Sequence, residues 1–185
     1  MFKKVTLSVN QVAYLEAKLN QSILNDIPFN VDDTELAQKF NLEVKYVDDD
    51  AMPDGVEAQL TPPASGGYNG LICVRKTLSP RPFAFTHEII HYVFDVGIGH
   101  TVVQTYARFG KGKQKSSHEQ DIDYMTAAFR MPYTQLVKDI QRYDAASPRM
   151  NAVVFVNSLC KKYNADRDSV VRRVQEVRKY SACKK

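Results

Sequence analysis

The string His87-Glu88-Ile89-Ile90-His91 holds the densest chemistry in this chain of 185 residues. Two histidines four residues apart on a helix lie one turn above each other on the same face, so both imidazoles can reach one tetrahedral metal ion. Glu88 stands beside the first histidine, placed to take a proton from a water that the cation acidifies and to pass it to a leaving amine. This pattern points to a zinc-dependent peptidase with His87 and His91 as ligands to Zn2+ and Glu88 as general base. A catalytic zinc needs a third protein ligand and an open fourth position. His100 does not supply it through the longer His-Glu-x-x-His-x-x-Gly-x-x-His pattern, because Phe94 stands where that pattern needs Gly and Gly97 where it needs His. A carboxylate from the next helix is the remaining common solution. Glu119, Asp121 and Asp123 stand there together with His118, and spacing alone does not choose among them.

The elements that must position these residues follow from periodicity. Val12, Leu15, Leu19 and Ile23 recur at helical spacing until Pro28, and Asp32 with Glu35 resembles a capping box for a short helix ending near Phe40. Leu42–Val47, Val56–Leu60 and Leu71–Val74 alternate with period two between turns rich in Asp, Pro and Gly, which predicts a small antiparallel or mixed sheet. The histidine helix runs from Ser79-Pro80-Arg81-Pro82 to about Phe94. Gly97 to Glu119 reads as a mobile excursion with a β-like run at Thr101–Tyr106, and it could cover the metal and keep the site latent. Helices are expected over Asp121–Phe129, Thr134–Tyr143 and Val153–Tyr163, then a last one striped by Val170, Val171, Val174 and Val177. The expected fold class is α+β, with a metallopeptidase domain over residues 1–135 and a helical subdomain over 136–185.

With 44% hydrophobic residues the chain can bury a core, and no apolar run is long enough to span a membrane. The polar start and the unpaired pattern of Cys73, Cys160 and Cys183 fit a cytoplasmic protein without a disulfide framework. Charge is uneven: residues 140–185 carry 11 Lys/Arg against 4 Asp/Glu. The stretch Lys161 to Arg173 resembles a helix-turn-helix in which Arg172 and Arg173 would face nucleic-acid phosphates. An ordinary αα-hairpin with a solvated basic face is the favoured alternative.

Phe83-Ala84-Phe85-Thr86-His87-Glu88-Ile89-Ile90-His91 and Asp121-Ile122-Asp123-Tyr124-Met125-Thr126-Ala127-Ala128-Phe129-Arg130-Met131-Pro132 together resemble the ImmA/IrrE family of metallo-endopeptidases. The family pattern is a strand, a Thr-x-x-His-Glu-x-x-His-like helix, then Glu-Ala-Asn/Asp-x-Phe-Ala-Ala-x-Leu-Leu-Met-Pro, and the likeness covers roughly residues 25 to 135. The resemblance implies a zincin-like fold and Asp121 as third zinc ligand, with Asp123 on the following Asn/Asp position. It also implies a protein substrate, a helix-turn-helix transcriptional regulator, in the cytoplasm of a bacterium or among its mobile elements. Asp121 is one methylene shorter than the family's Glu, so its helix would have to approach the ion more closely; if it does not, Glu119 takes the place. Arg130 puts a charge where the family has an apolar residue. Tyr124, Tyr92 or His118 could donate to a tetrahedral oxyanion, with His118 the leading choice. An extended substrate could add to a free sheet edge near Leu71–Arg75, or that strand could lie inside the sheet.

Overall fold

A computed structural model describes residues 7–64, 66–78, 81–110, 116–146 and 151–183. Its elements in chain order are α1 (Val9–Asn20), α2 (Asp33–Lys39), β1 (Leu42–Val47), β2 (Val56–Thr61), β3 (Gly70–Arg75), α3 (Arg81–His91), β4 (Tyr106–Phe109), α4 (Ser117–Arg130), α5 (Tyr133–Ala146), α6 (Ala152–Tyr163) and α7 (Arg167–Cys183). The fold is α+β, as the periodicities predict. No described helix is both long and apolar enough to cross a membrane.

Contacts gather the chain into two units, residues 30–126 and residues 1–29 with 127–185. This differs from the expected division into 1–135 and 136–185. The stripe of α1 is buried as its spacing requires, at Val12, Leu15 and Leu19, but against the C-terminal helices. Periodicity says that a face is apolar; it does not say which partner covers it.

In the helical unit the partner is fixed by charge as well as by packing. Arg173 of α7 is 1% exposed, and its guanidinium lies 2.5 Å from Glu16 of α1 and 3.3 Å from the Met131 carbonyl. Arg172 pairs with Glu176 one turn along the same helix. The helix-turn-helix reading, in which both arginines face phosphates, therefore does not fit, because Arg173 is in an interior ion pair. Asp139 of α5 accepts from Lys162 Nζ and, at 2.6 Å, from the Tyr163 hydroxyl, tying α5 to the end of α6. Asn164, in the left-handed region, ends α6, and the chain returns as α7, an αα-hairpin.

The second unit contains the sheet, ordered β1-β3-β2-β4. β1 pairs with β3 in parallel and the other pairs are antiparallel, so the sheet is mixed. β3 is interior, which corrects the idea of a free edge at Leu71–Arg75; the edges are β1 and β4. Strict alternation buries Val56, Ala58 and Leu60 of β2 and Gly70, Ile72 and Val74 of β3 on one face. α3 packs against β2, β3 and β4, and its residues Ala84 to Ile90 are all 0% exposed. A helix buried on every side must carry its polar residues inward too.

Past His91 the helix continues as a π-helical turn, Tyr92–Val96, closed by Gly97 at φ 94°, a value that side-chain-bearing residues seldom adopt. The buried Tyr92 hydroxyl accepts from Gly99 N and Asn69 Nδ2 and donates to the His100 carbonyl. Hydrogen bonds thus pin the turn at Gly97–His100, and the chain goes on to an edge strand at Tyr106–Phe109 instead of the run expected at Thr101–Tyr106. Residues 111–115 lie outside the described residues.

Replacing Glu16 by Ala strands the Arg173 charge in the helical interior. The expected loss is about 3–5 kcal/mol in urea unfolding, most of it recovered when Arg173→Met is added. A Glu16→Ala protein as stable as the wild type would refute the interior ion pair.

Candidate metal centre

The buried face of α3 brings His87 and His91 together with their Nε2 atoms 3.2 Å apart. α4 supplies the third group: Glu119 Oε2 stands 3.2 Å from His87 Nε2 and Oε1 stands 3.3 Å from His91 Nε2. Donors about 2.0–2.1 Å from a tetrahedral divalent ion are mutually about 3.3 Å apart. The three residues therefore form a group that could hold a metal ion, with two nitrogens and a carboxylate converging on one point.

The sequence reading and its family resemblance favour Asp121 as the carboxylate, with Glu119 as substitute. Here Glu119 joins the histidines and Asp121 does not. Two residues on a helix are separated by about 200° of rotation, so α4 cannot point both at one ion. Glu119, Ile122, Asp123 and Thr126 share the stripe that helical spacing sets on one face, and Ile122 and Thr126 are buried along it.

Each histidine has a carboxylate behind it. His91 Nδ1 lies 2.6 Å from Asp95 Oδ2, and His87 Nδ1 lies 3.1 Å from Asp123 Oδ1. The second contact has the distance of an ion pair but not the alignment of a hydrogen bond. Carboxylates behind metal-binding imidazoles fix the tautomer that leaves Nε2 facing the ion. Asp95 escaped the sequence reading, yet His91–Asp95 and Glu119–Asp123 both have the four-residue helical spacing that would have marked them. His118, the leading oxyanion donor, sits at the rim: its Nε2 is 2.9 Å from Asp95 Oδ2 and its side chain is 56% exposed. Tyr124 is buried and Tyr92 is committed to the turn it pins.

Glu88 is fully buried, and neither of its carboxylate oxygens has a hydrogen-bond partner among the described residues. Burial raises its pKa, against the opposing pull of His87, His91 and Arg108. Burial also disfavours charge on Glu119, but hydrogen bonds with His87 and His91 prevail and hold its carboxyl well below the usual range. His91 is pushed from 6.5 up to about 9: burial opposes its charged form, while Asp95 and Glu119 outweigh burial. β4 closes the remaining side, with the Tyr106 ring centroid 4.9 Å from that of His91.

Three outcomes are expected. Glu119→Ala lowers metal affinity by more than about 100-fold in chelator competition, Asp95→Ala by about 10–100-fold, and Asp121→Ala leaves it within a few-fold; equal losses for Glu119 and Asp121 would reverse the assignment. A folded His91 pKa above its unfolded value means that its stabilisation of the metal-free protein is complete below pH 6.5 and disappears as pH rises through about 9. Metal uptake at neutral pH must accordingly expel a proton from His91, and this release fades above pH 9. Titration calorimetry in buffers of different ionisation enthalpy reads it, and a heat independent of buffer would count against it. Compared with protein-family models, with curated proteins and with solved structures, the chain matches none.

Proposed function

We propose that this protein is a zinc-dependent endopeptidase with a zincin-like domain, in which His87, His91 and Glu119 hold the ion and Glu88 is the general base. The observation that carries this reading is Glu88: a fully buried carboxylate whose oxygens accept no hydrogen bond among the described residues, on the same helix as two converging imidazoles. Native proteins rarely leave such a group unmet. A structural site would use its glutamate as a fourth ligand or pair it elsewhere. With His87, His91 and Glu119 as its ligands a tetrahedral ion would keep a fourth position open, and Glu88 directly follows the first of them on the helix.

Zinc, when bound, supplies Lewis acidity that lowers the pKa of a water and polarises a peptide carbonyl. The chain's residues do the rest. Glu88 receives the proton of the attacking water, and burial lets it hold that proton until the leaving amine needs it. His118 is held at the rim through Nε2 by Asp95, and its Nδ1 would donate to a substrate oxygen only in the doubly protonated ring, since a neutral imidazole that donates through Nε2 accepts at Nδ1. β4, hydrogen-bonded on one side to β2, offers its other edge to an extended peptide beside the histidines. The substrate class rests on the family resemblance: a helix-turn-helix transcriptional regulator in the cytoplasm. The alternative of action by contact through the basic C-terminal helices is weakened by Arg173, whose charge is committed to Glu16.

The test is to incubate the zinc-loaded protein with helix-turn-helix regulators of its own source and follow intact masses. Glu88→Gln is expected to keep its zinc and lose cleavage by about a hundredfold to ten-thousandfold. Wild-type cleavage by a zinc-replete Glu88→Gln protein would sink the role given to Glu88.

A further inference from the structure

β4 presents two residues toward α3, and they differ in kind. Tyr106 lies opposite Leu60 and Arg108 opposite Ala58. Residues directly opposite in an antiparallel pair project to the same face, and Leu60 and Ala58 are fully buried on the face that packs against α3. Tyr106 covers His91; Arg108 stands two residues along the same edge, roughly 6.6 Å farther. Ala58 is small, so it leaves room for a guanidinium above it.

Arg108 lends its charge to Glu88 from a distance, but among the described residues its donors are poorly matched. Its side chain is 16% exposed, and Nε is buried without a hydrogen bond. The acceptor beside it, Glu57 Oε2, is 3.4 Å away at the irregularity where β2 shifts register between Val56 and Ala58. Among the described residues it has no other hydrogen-bond or ion-pair partner. A guanidinium carries five donors in a fork that fits a carboxylate bidentately, and leaving a buried one such as Nε unmet is costly.

We propose that Arg108 is an anion subsite that binds a carboxylate of the substrate peptide within about two residues of the one lying against Tyr106. The inference rests on the endopeptidase reading for the identity of its ligand. A peptide added along β4 alternates its side chains, so those that face α3 pass Tyr106 and Arg108 in succession. An Asp or Glu side chain, or the C-terminal carboxylate of a short peptide, completes the guanidinium fork; an amide of the same shape does not.

The experiment uses fluorescein-labelled, N-blocked decapeptides in which Glu or Gln is scanned through every position, each made with a C-terminal acid and a C-terminal amide. Binding is measured to the full-length, zinc-loaded Glu88→Gln protein, with and without Arg108→Gln or Arg108→Lys, and cleavage is measured with Glu88 intact. The expected result is a preference of about tenfold for Glu over Gln at one position, lost in Arg108→Gln and partly kept in Arg108→Lys, with zinc content unchanged. A preference set by the terminus, seen as acid over amide, assigns the carboxylate to the C-terminus and also supports the subsite. Cleavage or binding indifferent to Glu and Gln and to the terminus, or a preference that survives Arg108→Gln, overturns the subsite and leaves the endopeptidase reading standing. An Arg108-dependent preference in binding without any cleavage supports the subsite and sinks the endopeptidase reading. Peptides neither bound nor cleaved overturn both.

Discussion

The organisation of the sheet-bearing unit depends on a polar problem: α3 is buried on every side, yet it carries His87, Glu88 and His91 at 0–1% exposure. Imidazoles and carboxylates in a dry interior are costly unless something meets them. Glu119 and Asp123 from α4 and Asp95 from the π-helical turn approach the two histidines, so the elements around α3 are placed as much by this requirement as by apolar packing. Glu88 is the member whose oxygens have no hydrogen-bond partner among the described residues.

The π-helical turn is part of the same solution. It directly follows His91, and one residue in it, Asp95, holds both His91 and His118 through a single oxygen. Gly97 then reverses the chain, and Tyr92 fastens that reversal to Asn69 at the start of β3. The chain emerges into β4 with Tyr106 over His91. A local irregularity in one helix therefore sets the outer support of His91 and the position of the edge strand together.

The helical unit solves a different problem with similar means. Arg173 and Glu16 are 157 residues apart in sequence and meet in the interior. A buried ion pair adds little net stability but penalises every arrangement that leaves either charge alone. It therefore selects the pairing of α1 with α7, where apolar stripes alone would accept several partners. Asp139, bound by Lys162 and Tyr163, does the same for α5 and α6.

The order and type of the elements were legible from the chain, because helical and strand periodicities are local and the capping and turn residues lie beside the segments they end. The pair His87 and His91, with Glu88 between them, was legible for the same reason: residues four apart on a helix share a face whatever surrounds it. The third carboxylate was not. Choosing Glu119 over Asp121 needs the rotation of α4 about its axis, and that rotation is set by how Ile122 and Thr126 pack, a contact between elements. The interior position of β3, the burial of Arg173 and the placing of Tyr106 and Arg108 on the α3 side of the edge likewise depend on contacts between segments distant in sequence. The sequence by itself determined which groups could do chemistry and on which helix face they lie; only the tertiary structure decided which groups meet, because register and rotation are settled by packing partners that no local pattern names.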